Sequence, residues 1–168
     1  ISPTCVLLST LQGITTISVG NATPANSGAG ITFPATQSAS TDANTLDDYE
    51  EGTWTPVLGG TATYNANTGN YTKIGRLVFI QGVMNVNVIG TGSTTVISGL
   101  PFTAARDSFI GILFSSGLAT AVVSIHGAAL GTTTTIQFRS RIAANAADGT
   151  SAIFADSALV EFSGSFEV

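Results

Sequence analysis

The side chains able to act as a nucleophile, a base or a zinc ligand are few in this chain. It has one histidine, His126, and one cysteine, Cys5, which lie far apart in the sequence, and no G-x-S-x-G nucleophile elbow. A catalytic serine or cysteine needs a base beside it, and a zinc site needs several ligands close together. His126 has small and apolar neighbours, which predicts a position on a strand surface or at an interface. We expect neither triad chemistry nor a zinc site.

Carboxylates are the remaining candidates for catalysis, and half of the ten acids lie in residues 42–52: Asp42, Asp47, Asp48, Glu50 and Glu51. A glycosidase needs two carboxylates on opposite sides of a sugar, whereas acids adjacent on one short element point apart, and the spacing matches no EF-hand loop. The block is interpreted as a solvated, short helical turn that Thr45 caps and Gly52 ends. We predict no catalytic residue, no metal, no cofactor and no enzymatic activity.

Aromatic side chains give a binding signal at the start of the β-rich part of the chain. The rings concerned are Tyr49, Trp54, Tyr64 and Tyr71. Sugars bind by stacking on ring faces beside a few polar groups, so these residues are candidates for a shallow saccharide site. The alternative is that they pack the domain edge or a subunit interface with their polar tips in water.

Loops supply the other binding candidates, because variable contacts tend to lie on loops that a rigid scaffold holds. The sequence places such loops at residues 103–108, 115–117 and 143–150. Arg106 and Asp107, in the first of them, are added to the candidate receptor-binding residues.

Charge is unusually scarce in the 168 residues. Asp, Glu, Lys and Arg make up 9% of the chain, against about 25% in ordinary domains, while 43% is hydrophobic and the net charge is -5. Something other than charge must therefore cover the surface. We expect a coat of Thr, Ser, Asn and Gly together with other copies of the chain in a homo-oligomer.

Several classes of partner are excluded by the same composition. The five basic residues are scattered and form no stripe that would bind a phosphate backbone, so nucleic acid is not expected. The apolar stretches are far shorter than the roughly 18 residues of a spanning helix, so no membrane insertion is expected.

Cys5 has no partner for a disulfide, and the first residues lack the basic start of a secretory signal.

Two regions differ in texture. Residues 1–45 are rich in Ser, Thr, Ala, Asn and Gly and contain Pro3, Pro24 and Pro34, which favour extended chain over helix. This predicts an extended stem over 1–45, whose short apolar runs pack only when several copies lie side by side. The predicted head domain occupies 46–168.

Alternation of apolar and polar residues predicts strands through the head. The clearest are residues 159–168 and 76–89, the second bent or bulged at Gly82, and weaker alternation marks 119–125 and 132–139. Turn signals lie at 67–70, 90–93, 99–101, 131 and 147–149. Short strands with Gly and Pro turns every 8–12 residues predict an all-β, antiparallel β-sandwich or jelly roll, with a closed barrel as the alternative.

Three stretches also carry a resemblance: residues 27–37 (SGAGITFPATQ), 44–56 (NTLDDYEEGTWTP) and 69–76 (GNYTKIGR). Together they resemble the C-terminal region of tail fibre and tailspike proteins of tailed bacteriophages. The resemblance continues loosely through 97–102 (ISGLPF) and fades after that.

The resemblance implies a homotrimer at the distal end of a virion fibre, with an intertwined stem and a β-sandwich head that touches the bacterial surface. The implied partners are other virion tail proteins on the N-terminal side and a bacterial glycan or protein as receptor. The implied location is the virion, outside the host cell and at its surface. Two alternatives stay open. One is a non-catalytic trimerisation or folding module of a tailspike polysaccharide depolymerase, and the other is a capsid decoration or head fibre protein.

Overall fold

A computed structural model describes residues 16–20, 22–24, 28–36, 40–42 and 44–168. Contacts divide the chain into two units, Ile1–Asp48 and Tyr49–Val168. Cys5 and much of the predicted stem over 1–45 lie outside the described residues. The predicted boundary between 45 and 46 stays a prediction.

The first unit contains two short strands, β1 (Thr16–Ser18) and β2 (Gly30–Thr32), which pair in parallel. Ile17 and Ile31 are register partners in this pair, and both are exposed. The described residues before Asp48 contain no helix. The described residues of this unit therefore bury few apolar side chains.

The helical turn predicted over residues 42–52 is wrong. Asp42 instead organises a turn, accepting hydrogen bonds from the Asn44 amide through its side chain (2.9 Å) and from the Thr45 amide through its carbonyl (3.1 Å). The second half of the block is strand β3 (Tyr49–Trp54). Its backbone pairs with a neighbouring strand, and that pairing replaces the local hydrogen bonds a helical turn would have made.

The second unit is one curled, antiparallel sheet of eight strands. After β3 come β4 (Thr63–Ile74), β5 (Leu77–Val88), β6 (Val96–Ser98), β7 (Ser108–Ser116), β8 (Ser124–Ala129), β9 (Thr135–Arg141) and β10 (Leu159–Glu167). They lie in the order β3-β4-β5-β10-β7-β8-β9-β6. An antiparallel bridge between Val57, which follows β3, and Ser98 of β6 brings the two ends of this order together. The predicted all-β class is confirmed.

The core lies on the inner face of the sheet and is rich in phenylalanine. Phe162 of β10 meets Trp54 and Phe138 edge to face, at centroid distances of 6.0 and 6.1 Å, and Phe138 meets Phe154 at 5.1 Å. Because these rings are buried on one side of each strand, they determine which alternate residues of the strand point into the core.

Glycines in two strands make room for these rings. Gly69 of β4 and Gly82 of β5 are register partners, and the indole of Trp54 and the ring of Phe162 occupy the space where their side chains would lie. The turn predicted at 67–70 is therefore wrong, because Gly69 lies inside β4. The bulge predicted at Gly82 is also wrong, since the register is continuous there. Irregularities occur instead in the β4–β5 pairing near Tyr64 and in the β10–β7 pairing, where the step from Glu161 to Phe162 skips Leu113 of β7.

The other strand predictions differ in accuracy. Strands β10 and β5 coincide closely with the predicted 159–168 and 76–89. Strand β9 begins and ends later than the predicted 132–139, and β8 replaces the predicted 119–125 with a later segment. In the part of the chain that the structure covers, no helix is long and apolar enough to cross a membrane.

Candidate binding face

Two tyrosine candidates lie on the β3–β4 edge of the sheet, where Tyr49 is exposed and Tyr71 is half-buried against the core. The Tyr71 hydroxyl donates a hydrogen bond to Glu50, and the Tyr49 hydroxyl donates one to Glu51. The bond to Glu50, together with partial burial and the negative charge of that carboxylate, raises the pKa of Tyr71 to about 12. The pKa of Tyr49 is raised by the same kind of bond to Glu51. Both hydroxyls are thus committed to acids of the block at 42–52.

The other two aromatic candidates are held by the interior. Trp54 is 6% exposed, and its indole N–H is buried without a hydrogen-bond partner among the described residues. Tyr64 is half-buried, and its hydroxyl accepts a hydrogen bond of 2.7 Å from the Leu58 amide. Trp54 packs the core, and Tyr64 fixes the loop that follows β3.

Arg106 and Asp107 lie in the loop before β7. The Arg106 side chain is 75% exposed, and its Nε lies 3.8 Å from a Glu167 carboxylate oxygen. The Asp107 carboxylate accepts a hydrogen bond of 2.9 Å from the Gly131 amide and so ties this loop to the β8–β9 turn. The six candidates are consequently spread over the β3–β4 edge, the core and this loop, and the structure does not bring them together into one site.

A different surface gathers aromatic and polar side chains. The outer faces of β4, β5, β10 and β7 form an open groove of about 650 Å³. We call this surface the outer groove, and its outward-facing residues are Asn70, Thr72, Phe79, Gln81, Phe109, Gly111, Ser163 and Ser165. None of the described residues that line it carries a charge.

Strand register explains how the outer groove is built. Thr72, Phe79 and Ser165 form one cross-strand row. Asn70, Gln81, Ser163 and Gly111 form the next row. All of them have the parity opposite to the core, so the floor of small residues on β10 lies between longer side chains on either side.

Phe79 and Phe109 are the rings of the outer groove, and they are 47% and 69% exposed. The sequence candidates did not include these two rings, because aromatic candidates were taken only from residues 49–71. The outward-facing positions of the strands were identified by their polar residues alone. The signal was present in β5, where Leu77 and Phe79 share their parity with Gln81, Asn85 and Asn87. A phenylalanine among the alternate residues of a strand that are otherwise polar indicates an exposed ring.

A second hollow, of about 350 Å³, lies on the other side of Phe109. The Phe109 ring stacks on His126 at 5.7 Å between centroids and 22° between planes. Asp148 lies 3.9 Å from His126 Nε2 and 3.3 Å from Arg141 Nε. His126 thus occupies a strand surface, half-buried, as its sequence neighbours predicted.

Among the described residues no cluster of three or more His, Cys, Asp or Glu side chains is arranged to hold a metal ion. What the outer groove offers chemically is stacking and neutral hydrogen bonding. Comparison with protein-family models, with curated proteins and with solved structures found no match to this chain.

Proposed function

We propose that this chain is the tip of a bacteriophage tail fibre, a structural protein that trimerises and attaches the virion to a glycan or protein on the bacterial surface. In this proposal residues 1–45 form the stem, which joins other tail proteins on its N-terminal side. Residues 46–168, which contain the eight-stranded sheet, serve as the sandwich-like head, without catalysis of their own. The three stretches at 27–37, 44–56 and 69–76 support it through their resemblance to such fibres.

The structural observation that carries the proposal is an apolar row beside the outer groove. Tyr49, Ile74 and Leu77 are consecutive register partners across β3, β4 and β5. All three are exposed, at 39%, 42% and 37%. Contiguous exposed apolar residues on a chain with 9% charge support the presence of a surface that another molecule covers. We call these residues the apolar row and propose that it contacts other copies of the chain.

Multivalent attachment follows from a trimer. Three identical heads at one fibre tip present three copies of the same site, so weak single-site contacts add up to firm attachment. A binding site that catalyses no reaction is sufficient for this role.

Two measurements on the purified chain test the proposal together. Light scattering should give a mass about three times 17.0 kDa that does not change on dilution. The fluorescently labelled chain should adsorb to a subset of strains in a panel of bacteria and compete with the corresponding phage. A monomer that adsorbs to no strain contradicts the proposal.

Two further results separate the alternative assignments. Cleavage of capsular polysaccharide by this chain alone would contradict the non-enzymatic assignment. An antibody against the chain should label the tail in electron micrographs, and labelling of the capsid instead would favour a head fibre or decoration protein.

A further inference from the structure

We propose that the outer groove is a binding site for a neutral saccharide. This inference deepens the proposed function and rests on it, because it names the receptor class and the surface that the head uses. The receptor is then an uncharged glycan instead of a protein or an acidic polysaccharide.

The two rings of the outer groove are placed to sandwich or flank a sugar. Phe79 is on β5 and Phe109 is on β7, with only β10 between them. Neighbouring strands lie about 4.8 Å apart, so the two backbones are separated by roughly 10 Å. The C–H faces of a pyranose pack against aromatic faces, which carry partial negative charge. His126 covers one face of the Phe109 ring, and the exposure of both rings leaves their other faces accessible.

The floor of the outer groove supplies hydrogen-bonding groups that the protein does not use. The side chains of Asn70, Thr72, Gln81, Ser163 and Ser165 line it. None of the five makes a hydrogen bond to another described residue. Amides and hydroxyls each offer both donors and acceptors, as sugar hydroxyls require. Aromatic walls with a few convergent polar groups are the composition of a ligand site.

Charge selects a neutral sugar over an acidic one. The outer groove contains no cation to pair with a carboxylate, and the whole chain carries a net charge of -5. An acidic glycan would be repelled on approach and left unpaired when bound. Arg139 lines the second hollow on the far side of Phe109 and Arg106 lies near Glu167, and neither lines the outer groove.

The same composition disfavours a second copy of the chain as the occupant. Interface cores are depleted in serine, and unpaired polar groups there would lose their water without replacement. The apolar row, one step along the strands, presents three apolar side chains and meets Glu167 of β10, which lies near Arg106, only at its end, so it suits a subunit contact better. We therefore assign a saccharide to the outer groove and another copy of the chain to the apolar row, although both surfaces lie on the same face of the sheet.

Binding of short neutral oligosaccharides, such as hexose and N-acetylhexosamine oligomers, to the full chain is the test. Calorimetry would compare the wild type with Phe79→Ala, Phe109→Ala and Gln81→Ala, using carboxylate-bearing oligosaccharides as the second set of probes. Phe114→Ala is the matched control, because Phe114 is on the same strand as Phe109, is 49% exposed and lies outside the groove.

Each ring truncation should weaken neutral-sugar binding about tenfold or more, and Gln81→Ala several-fold, while Phe114→Ala binds as the wild type does. Phe109→Tyr should retain binding because it keeps the ring. Mass and thermal unfolding should be unchanged in all of these variants. Equal loss in Phe114→Ala, binding of acidic probes alone, absence of neutral-sugar binding, or a lowered mass in the ring variants would each overturn the inference.

Cell adsorption separates the two proposals. If groove variants adsorb to bacteria as well as the wild type does, the neutral-sugar site is wrong and the attachment function stands. If the chain adsorbs to no strain yet binds neutral sugars through the outer groove, the attachment function fails and the site stands.

Discussion

Two glycines show how single residues decide the packing of this sheet. Gly69 and Gly82 face each other across β4 and β5, and the rings of Trp54 and Phe162 lie over them. Neither glycine needs an unusual backbone, since neither has a positive φ. Their role is the absence of a side chain, which lets aromatic rings approach the backbone.

Gly69→Ala and Gly82→Ala should each lower the free energy of unfolding by about 1–3 kcal/mol, the range for overpacking a core. At Gly82 an added Cβ would lie 2.5 Å from the Phe162 ring. Gly149→Ala is the control, because an added Cβ there meets nothing within 4 Å. Denaturant titration followed by the fluorescence of Trp54, the single tryptophan, measures all three. Unchanged stability in both core variants would contradict the packing role.

Tyr71 carries a pH dependence of its own. Its folded pKa of about 12 lies above the ordinary 10, so folding favours the neutral phenol. Its contribution to stability is therefore complete below pH 10 and is lost as the pH rises toward 12. Ultraviolet titration of the three tyrosines should show a component near pH 12 that Tyr71→Phe removes and Glu50→Gln moves toward 10. A component unaffected by Glu50→Gln would show that the hydrogen bond is not its cause.

At the scale of elements, β10 holds the sheet together. It pairs with β5 on one side and β7 on the other, and β5 in turn pairs with β4. Its inward residues reach the core, whereas its outward residues form the floor of the outer groove. One strand thus carries both stability and the candidate binding surface, on opposite faces.

Neighbouring residues of β10 should accordingly separate the two roles. Phe162→Ala should cost about 3–5 kcal/mol of unfolding free energy, because it empties the center of the aromatic core. Ser163→Ala, one residue later, should change stability by no more than about 0.5 kcal/mol. Thermal and denaturant unfolding compare the pair. Similar losses in both variants would mean that the outward face is also packed.

At the scale of the whole molecule, scarcity of charge and exposure of apolar side chains belong to the same problem. The sheet of the 49–168 unit buries a core on its inner face, yet Tyr49, Ile74 and Leu77 stay exposed. The proposed trimer covers this apolar row and leaves the outer groove open. The proposed oligomer would cover a surface that a monomer exposes to water.

Ile74→Asp should lower the solution mass from about three chains to one, because a carboxylate in a subunit contact loses its hydration without a partner. Val123→Asp is the control, since Val123 is 62% exposed and lies outside the apolar row. Light scattering gives the mass, and circular dichroism checks that both variants stay folded. A trimeric Ile74→Asp variant would place the subunit contact elsewhere.

The sequence by itself determined the all-β class and the strands with clean alternation. Strand β10 was predictable because its period of two reflects burial on one face only, a property local to the strand. The low charge likewise required a surface covered by small polar residues or by other chains. The trimer, the stem and the sandwich-like head remain predictions.

Only the tertiary structure decided which residues meet. The glycine at 69 carries a turn signal in sequence, but in the structure it lies inside β4, paired with Trp54 of β3, whose indole packs over it. The outer groove joins residues from β4, β5, β7 and β10, whose neighbourhood depends on strand order, and strand order is set by long-range pairing. Local patterns carry no information on that order, because alternation tells which face a residue takes and not which strand lies beside it.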